Sequence, residues 1–196
     1  MREHRRAFVE NLKENVPLFL LKTLSTKTGS ELVQQNILEA VAWAKETYAV
    51  DEKRVYLTGT SGGGHMTLLM AAKYPEVWAA ACAFVGISDL AAWHDKHADD
   101  QYGDDTRACT GGGPEESEAI DAEYRERSPL TFLSSPKLAE LDLPLDILAG
   151  VFDGHTGSVP IRQSIDAFNT VASTAVSSQP THRFLVIVGT ILTDCV

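Results

Sequence analysis

A chain of 196 residues is long enough for one domain with a full hydrophobic core. Its 44% apolar and 22% charged residues are ordinary for a soluble globular protein. A formal net charge of −10 argues against nucleic acid as a partner, because phosphate binding needs a basic face. No run of about 18 apolar residues exists, so neither a membrane span nor a membrane partner is expected. The basic start, Met1-Arg2-Glu3-His4-Arg5-Arg6, lacks the apolar segment of a secretory signal. Cys82, Cys109 and Cys195 make neither an even disulfide set nor a metal-type spacing. Cys82 lies in the apolar run Ala79–Val85 and reads as a small buried hydrophobe. A reducing, cytoplasmic setting and no cofactor are the expectations.

Residues 1–15 are polar and charged. Val16–Leu21 is the early strand candidate, and Pro17 confines it to an edge or a strand start. Thr28-Gly29-Ser30-Glu31 fits a capping box. Val33, Ile37, Val41, Ala44 and Tyr48 then recur at helical spacing, which predicts a helix to about Thr47. Asp51–Arg54 is a polar turn, and Val55–Leu57 suits a buried strand. Gly59-Thr60-Ser61-Gly62-Gly63 follows at once. Met66, Leu69 and Met70 mark one side of the next helix, which Pro75 stops near Lys73-Tyr74.

Ala79–Gly86 is the next buried strand. From about residue 94 to 117 the composition turns acidic and glycine-rich, as an insertion over the sheet's working edge would. Ser128-Pro129 and Pro144 bracket an irregular or short helical stretch. Leu145–Gly150 is a strand leading into Val151-Phe152-Asp153-Gly154. Pro160 suits the first turn of a helix whose apolar face is Ile161, Ile165, Phe168 and Ala172. Phe184–Val188 is the last strand. The alternation implies one α/β domain over residues 1–196, with a mostly parallel sheet and helices on both faces.

Strand, G-x-S-x-G and helix together make the nucleophile elbow of an α/β-hydrolase. The reason is steric. Ser61 must sit on a strained strand-to-helix turn that pushes its Oγ toward substrate, and residues two before and two after it crowd that turn. Gly59 and Gly63 therefore carry no side chain. The helix start aims free backbone N–H groups at the place where negative charge develops. The alternative is a Gly/Ser-rich turn of a dinucleotide-binding unit. That fingerprint wants G-x-G-x-x-G and an acidic residue about 20 positions on, and Gly59 and Ser61 break its first half.

A serine hydrolase needs a nucleophile, a base and an acid that orients the base, here in the order Ser, Asp, His. Ser61 is the nucleophile. Asp153, at the C-terminal end of a predicted strand, is the acid; a plain turn aspartate in Asp153-Gly154 is the other reading. The six histidines serve the base role unequally. His65 packs beside the elbow. His94 and His97 form an H-x-x-H pair beside aspartates, read as a solvated loop or a metal pair. His155 is too close to Asp153 in sequence. His182 lies 29 positions after Asp153 and is the candidate base, although it precedes the last strand instead of following it.

Together these residues resemble the catalytic domain of the prolyl oligopeptidase family of serine hydrolases. The resemblance covers about residues 30–172. It rests on Asp51-x-x-Arg54-Val55-Tyr56 before the elbow, then Ser128-Pro129, Leu143-Pro144, Gly150-Val151-Phe152-Asp153 and Val159-Pro160. It implies Ser61 as nucleophile, Asp153 as acid and the Gly62 N–H as an oxyanion donor. It also implies a peptide or small-molecule ester substrate. The chain departs from the pattern at both ends. No His-Gly loop follows Val16–Leu21, and about residues 173–196 lack the family's glycine-rich turn with its histidine. It is expected to be a hydrolase domain shortened at the front, with an exposed edge that invites pairing in a homo-oligomer. The alternatives are a catalytically incomplete domain that binds a ligand or partner subunit, and a metal-assisted enzyme using His94 and His97.

Overall fold

The computed structural model describes residues 29–174 and the strand at 182–187. Expectations about Val16–Leu21, Thr28 and Cys195 lie outside the described residues. Helix α1 (Glu31–Thr47) ends where the apolar spacing predicts. Its start differs from the capping-box expectation. Ser30 is the N-cap, so Glu31 is the first helical residue instead of the third and cannot reach back to close the box. The Ser30 Oγ is buried and has no partner among the described residues. The buried Gln34 Nε2 donates instead to Gly29 O at 2.8 Å, and Gly29 makes the turn at φ +73°.

Among the described residues, four parallel strands form the sheet in the order β1 (Tyr56–Thr60), β2 (Ala80–Phe84), β3 (Leu145–Gly150) and β4 (His182–Ile187). Parallel neighbours need crossovers. Helix α2 (Gly62–Lys73) joins β1 to β2, and α7 (Ile161–Thr174) lies between β3 and β4. The connection from β2 to β3 holds α3 (Leu90–Lys96), α4 (Gln101–Thr110), α5 (Glu118–Arg127) and α6 (Pro136–Leu141). Among the described residues, no helix is long and apolar enough to cross a membrane.

Period-2 patterning places Ala81, Ala83, Leu145, Ile147 and Ala149 in the core. Helix α2 is more deeply set than its expected one-sided face. Gly64 to Ala72 are all buried, so the helix is enclosed on every side, mostly by apolar residues, as an interior helix is. Its seat depends on glycines. A Cβ on Gly64 would stand 2.6 Å from Phe84 O, and one on Gly86 would stand 3.0 Å from Gly64 O. Helix α7 is rotated from its expected face. Gln163, Ser164, Ala167 and Val171 are buried, while Ile161, Ile165 and Phe168 are half-buried and Ala172 is exposed. The small Ser164 and Ala167 let the helix lie close. Gln163 is drawn in by hydrogen bonds from Ser88 N (2.8 Å) and Asp89 N (2.7 Å).

The acidic, glycine-rich stretch is not a solvated loop. It folds as the end of α3, all of α4 and the approach to α5, and Tyr102 of α4 meets Trp93 of a second small core that also holds Ile87, Leu90, Tyr124 and Val159. His94 and His97 are only 3% and 7% exposed. Tyr124 Oη (3.1 Å) and Thr110 Oγ1 (2.9 Å) both donate to Gly112 O, stitching the glycine run to the helices.

Adding one methyl group separates the packed glycine from its open neighbour. Gly64→Ala should destabilise the fold by about 1–3 kcal/mol through overpacking. Gly63→Ala, where a Cβ meets nothing within 4 Å, should be neutral or stabilising within about 1 kcal/mol. Urea denaturation midpoints of the two variants check this.

Candidate active site

Ser61 sits between β1 and α2 with φ 56° and ψ −118°, on the left-handed side that non-glycine residues rarely adopt. Its N–H donates to Phe84 O at 2.9 Å, and its C=O accepts the His65 N–H at 2.8 Å. Both backbone groups are thus tied down, to β2 and to α2. The side chain is left exposed and makes no capping bond. The N–H groups of Gly62, Gly63 and Gly64 belong to the first turn and have no intrahelical acceptor. They lie at the same helix end as Ser61, the arrangement that can hold an oxyanion.

The glycine requirement is one-sided. A Cβ on Gly59 would stand 2.3 Å from Gly63 O, whereas one on Gly63 would enter open space. The expected need for a bare Gly63 side is therefore wrong: only its backbone crowds the turn. Val85, just after the Phe84 carbonyl, has φ 48°, which is strained for a β-branched residue. No sequence pattern announces it.

Asp153 lies in the loop after β3, at the same C-terminal sheet edge as Ser61. The two strands are two spacings apart, roughly 10 Å. Asp153 Oδ2 accepts the Gly150 N–H at 2.6 Å, its own N–H donates to Gly150 O at 3.0 Å, and its C=O accepts the Ile161 N–H at 3.2 Å. The turn role therefore exists in fact. Among the described residues, Oδ1 accepts no hydrogen bond, so one carboxylate oxygen remains for a base.

His182 is not brought to this edge. It opens β4 and is in register with Leu145, the first residue of β3. Because the strands are parallel, both mark the opposite end of the sheet, five residues or roughly 16 Å from Gly150. The other described histidines do not hydrogen bond to Ser61. His94 meets Arg107 Nη1 at 3.2 Å, and His97 meets Asp100 and Ser158 O. Among the described residues, no group of three or more His, Cys, Asp or Glu is placed to hold a metal. His155 is exposed in the Asp153 loop.

His65 packs under the elbow, fully buried. Its Nε2 lies 2.7 Å from Arg127 O, and a carbonyl only accepts, so Nε2 carries the hydrogen. Nδ1 is buried and has no partner among the described residues. Protonation would place an N–H there with no acceptor. Burial, reinforced by the Arg127 charge and opposed by the bond to Arg127 O, lowers the pKa to about 4.

Two further residues hold the site's surroundings. Ser128 Oγ accepts the Leu90 N–H at 2.9 Å and donates to Tyr124 O at 2.8 Å, clipping α3 to α5. Gln163 ties the Ser88–Asp89 turn to α7. A groove of about 310 Å³ between Asp89, Tyr124, Arg125 and Thr131 does not touch Ser61 or Asp153.

The lowered His65 pKa gives stability a pH dependence. The unfolded state binds the extra proton below about pH 6.5 and the folded state resists it to about 4. Stability should therefore fall by on the order of 3 kcal/mol as pH drops through that window. His65→Gln keeps a donor for Arg127 O and should lose this part of the slope, measured by urea unfolding at several pH values.

Comparison with known proteins places the chain in a family. The model of the prolyl oligopeptidase family matches residues 20–186. Acetylxylan esterase A of Emericella nidulans is 39% identical over 67 residues, 34% of this chain and 22% of that protein. The Aspergillus ficuum acetylxylan esterase A is 45% identical over 53 residues, 27% of this chain and 18% of that protein. Uncomplexed acylaminoacyl peptidase of Pyrococcus horikoshii superposes with a TM-score of 0.62 at 21% identity, covering 83% of this chain and 23% of that one. Puromycin hydrolase gives 0.63 at 21% identity, with 82% and 22% covered. These matches cover about a fifth of the length of each relative. The structural likeness speaks for the α/β-hydrolase fold, and the family match over most of the chain makes this protein a member of the prolyl oligopeptidase family.

Proposed function

We propose that the chain is a serine hydrolase that cleaves an ester or peptide bond through an acyl-enzyme on Ser61. The observation that carries this is the backbone of Ser61 at φ 56°, anchored on both sides with its side chain exposed. An ordinary Gly/Ser turn has no need of that strain, which costs about 1–3 kcal/mol. In this reading Ser61 Oγ attacks the acyl carbon, and its proton passes to a base and then to the leaving group. The backbone N–H groups at Gly62 and the next residues hold the tetrahedral oxyanion, and water later releases the acyl group. Asp153 orients the base. His155 shares their sheet edge, and His182 stands at the far one. The curated relatives are named acetylxylan esterases, which favours an ester of a small acyl group over a peptide.

A second reading is a hydrolase-like domain that binds a ligand or partner without turnover. It is favoured by one observation: among the described residues, no imidazole hydrogen bonds to Ser61 Oγ.

Labelling with a fluorophosphonate and hydrolysis of p-nitrophenyl acetate separate the two. Wild type should label and turn over, and Ser61→Ala should do neither. His155→Ala and His182→Ala identify the base by which of them abolishes turnover. Folded wild-type protein that neither labels nor hydrolyses the ester leaves the binding reading.

A further inference from the structure

The loop after β3 is held from outside by one helix end. Among the described residues, the hydrogen bonds that reach residues 151–158 from elsewhere in the chain, beyond the loop, its adjoining Gly150 at the end of β3 and the start of α7, come from Lys96 and His97 at the C-terminus of α3. Lys96 Nζ donates to Gly154 O at 3.0 Å, and His97 Nε2 lies 2.7 Å from Ser158 O. His97 Nδ1 lies 2.6 Å from Asp100 Oδ2. A backbone carbonyl and a carboxylate oxygen both only accept, so two bonds of this length require hydrogen on both ring nitrogens. The bond to His97, with help from the Tyr102 N–H, also holds the Asp100 carboxyl below the usual carboxylate range, which keeps it the accepting partner.

We propose that His97 is a positioning residue: an imidazolium bridging Asp100 and Ser158 through which α3 holds the loop that presents Asp153. Without the ring, the bond that remains from α3 to the loop among the described residues is Lys96 to Gly154 O. The inference rests on the reading of Asp153 as the acid of the Ser61 site. The ring is set for this role. It is walled by Trp93 and Tyr102, with ring centroids at 5.1 and 5.2 Å. The next residue of the loop, Val159, is buried in the same small core as Trp93.

The charged and titratable groups around the ring are few. Asp100 is bonded to it, and Tyr102 of α4 meets it edge to face. The cations nearest in sequence point elsewhere: Lys96 to Gly154 O, and Arg107 of α4 to Ala98 O (3.0 Å) and Asp104. From the loop side the ring is met by the Ser158 carbonyl.

The test compares variants with wild type at one pH by three signals: the His97 ring-nitrogen NMR shifts, amide exchange of residues 154–158, and the rate of fluorophosphonate labelling at Ser61. The wild-type ring should show hydrogen on both nitrogens. His97→Gln, which can keep only one of the two bonds, should raise loop exchange at least about tenfold and slow labelling. Asp100→Asn, a change at an exposed side chain that spares the fold, should move the ring shifts toward a neutral imidazole and raise the same exchange, because the imidazolium loses its anionic partner. A wild-type ring with hydrogen on one nitrogen only, or loop exchange unchanged in His97→Gln, overturns the tether. Labelling unchanged in a His97→Gln variant whose loop exchange has risen overturns its link to the active site. Faster loop exchange in His97→Gln with no labelling of wild type keeps the tether and instead defeats the serine-hydrolase reading.

Discussion

Helix α2 can begin directly on the end of β1 because Gly59 has no Cβ; any side chain there would stand inside the Gly63 peptide. The contact between Gly64 and Gly86 extends the same closeness one strand over. With helix and strands this near, the chain has a single residue in which to reverse, and that residue is Ser61. Its left-handed backbone follows from the packing, as does the strain of Val85 beside the Phe84 carbonyl that holds it. These two conformations cost about 1–3 kcal/mol each. Full burial of Leu68, Leu69 and Met70 on the same helix contributes about 1.5–3 kcal/mol each, which outweighs the strain. The core therefore holds the serine in a conformation that it would not adopt alone.

Around this apolar centre, buried polar groups are arranged by what each neighbour can give or take. His65 faces a carbonyl and is left with one donating nitrogen and an orphan. His97 faces two acceptors and needs both hydrogens. The H-x-x-H spacing that suggests a metal pair instead turns each ring to a different partner, because α3 is seated on a small core of its own. Ser128 and Gln163 close the remaining gaps by serving backbone groups of the turns after β2. Buried polar atoms of this kind are costly unless bonded, so these side chains define the loop geometry more sharply than apolar contacts do.

The sheet edge gathers some of the parts of a hydrolase and separates others. Ser61 and Asp153 leave strands at the same end, with first-turn N–H groups beside the serine. Asp153 serves its own turn with one oxygen and keeps the other unbonded. His182 enters the sheet at the opposite end. Family membership thus describes the scaffold and the elbow, while turnover depends on whether an imidazole reaches that edge. Function lives in the site and not in the fold.

Features set by contacts within a few residues were legible in the chain itself. The elbow reads directly from Gly59 to Gly63 between a strand and a helix. The ends of α1 at Thr47 and α2 at Lys73 and the full span of β3 follow from periodicity and from Pro75. Non-local pairing decided the rest. The placement of His182 required the register of β4 on β3, which no local pattern carries. The buried face of α7 turned on a glutamine bonded to residues 74 and 75 positions away. Burial of His94 and His97 depended on Tyr124 and Ser158 arriving from distant segments. Periodicity and turn chemistry act over single turns and so are written in the sequence, whereas register, close backbone approach and the partner of a buried ring exist only once distant segments meet.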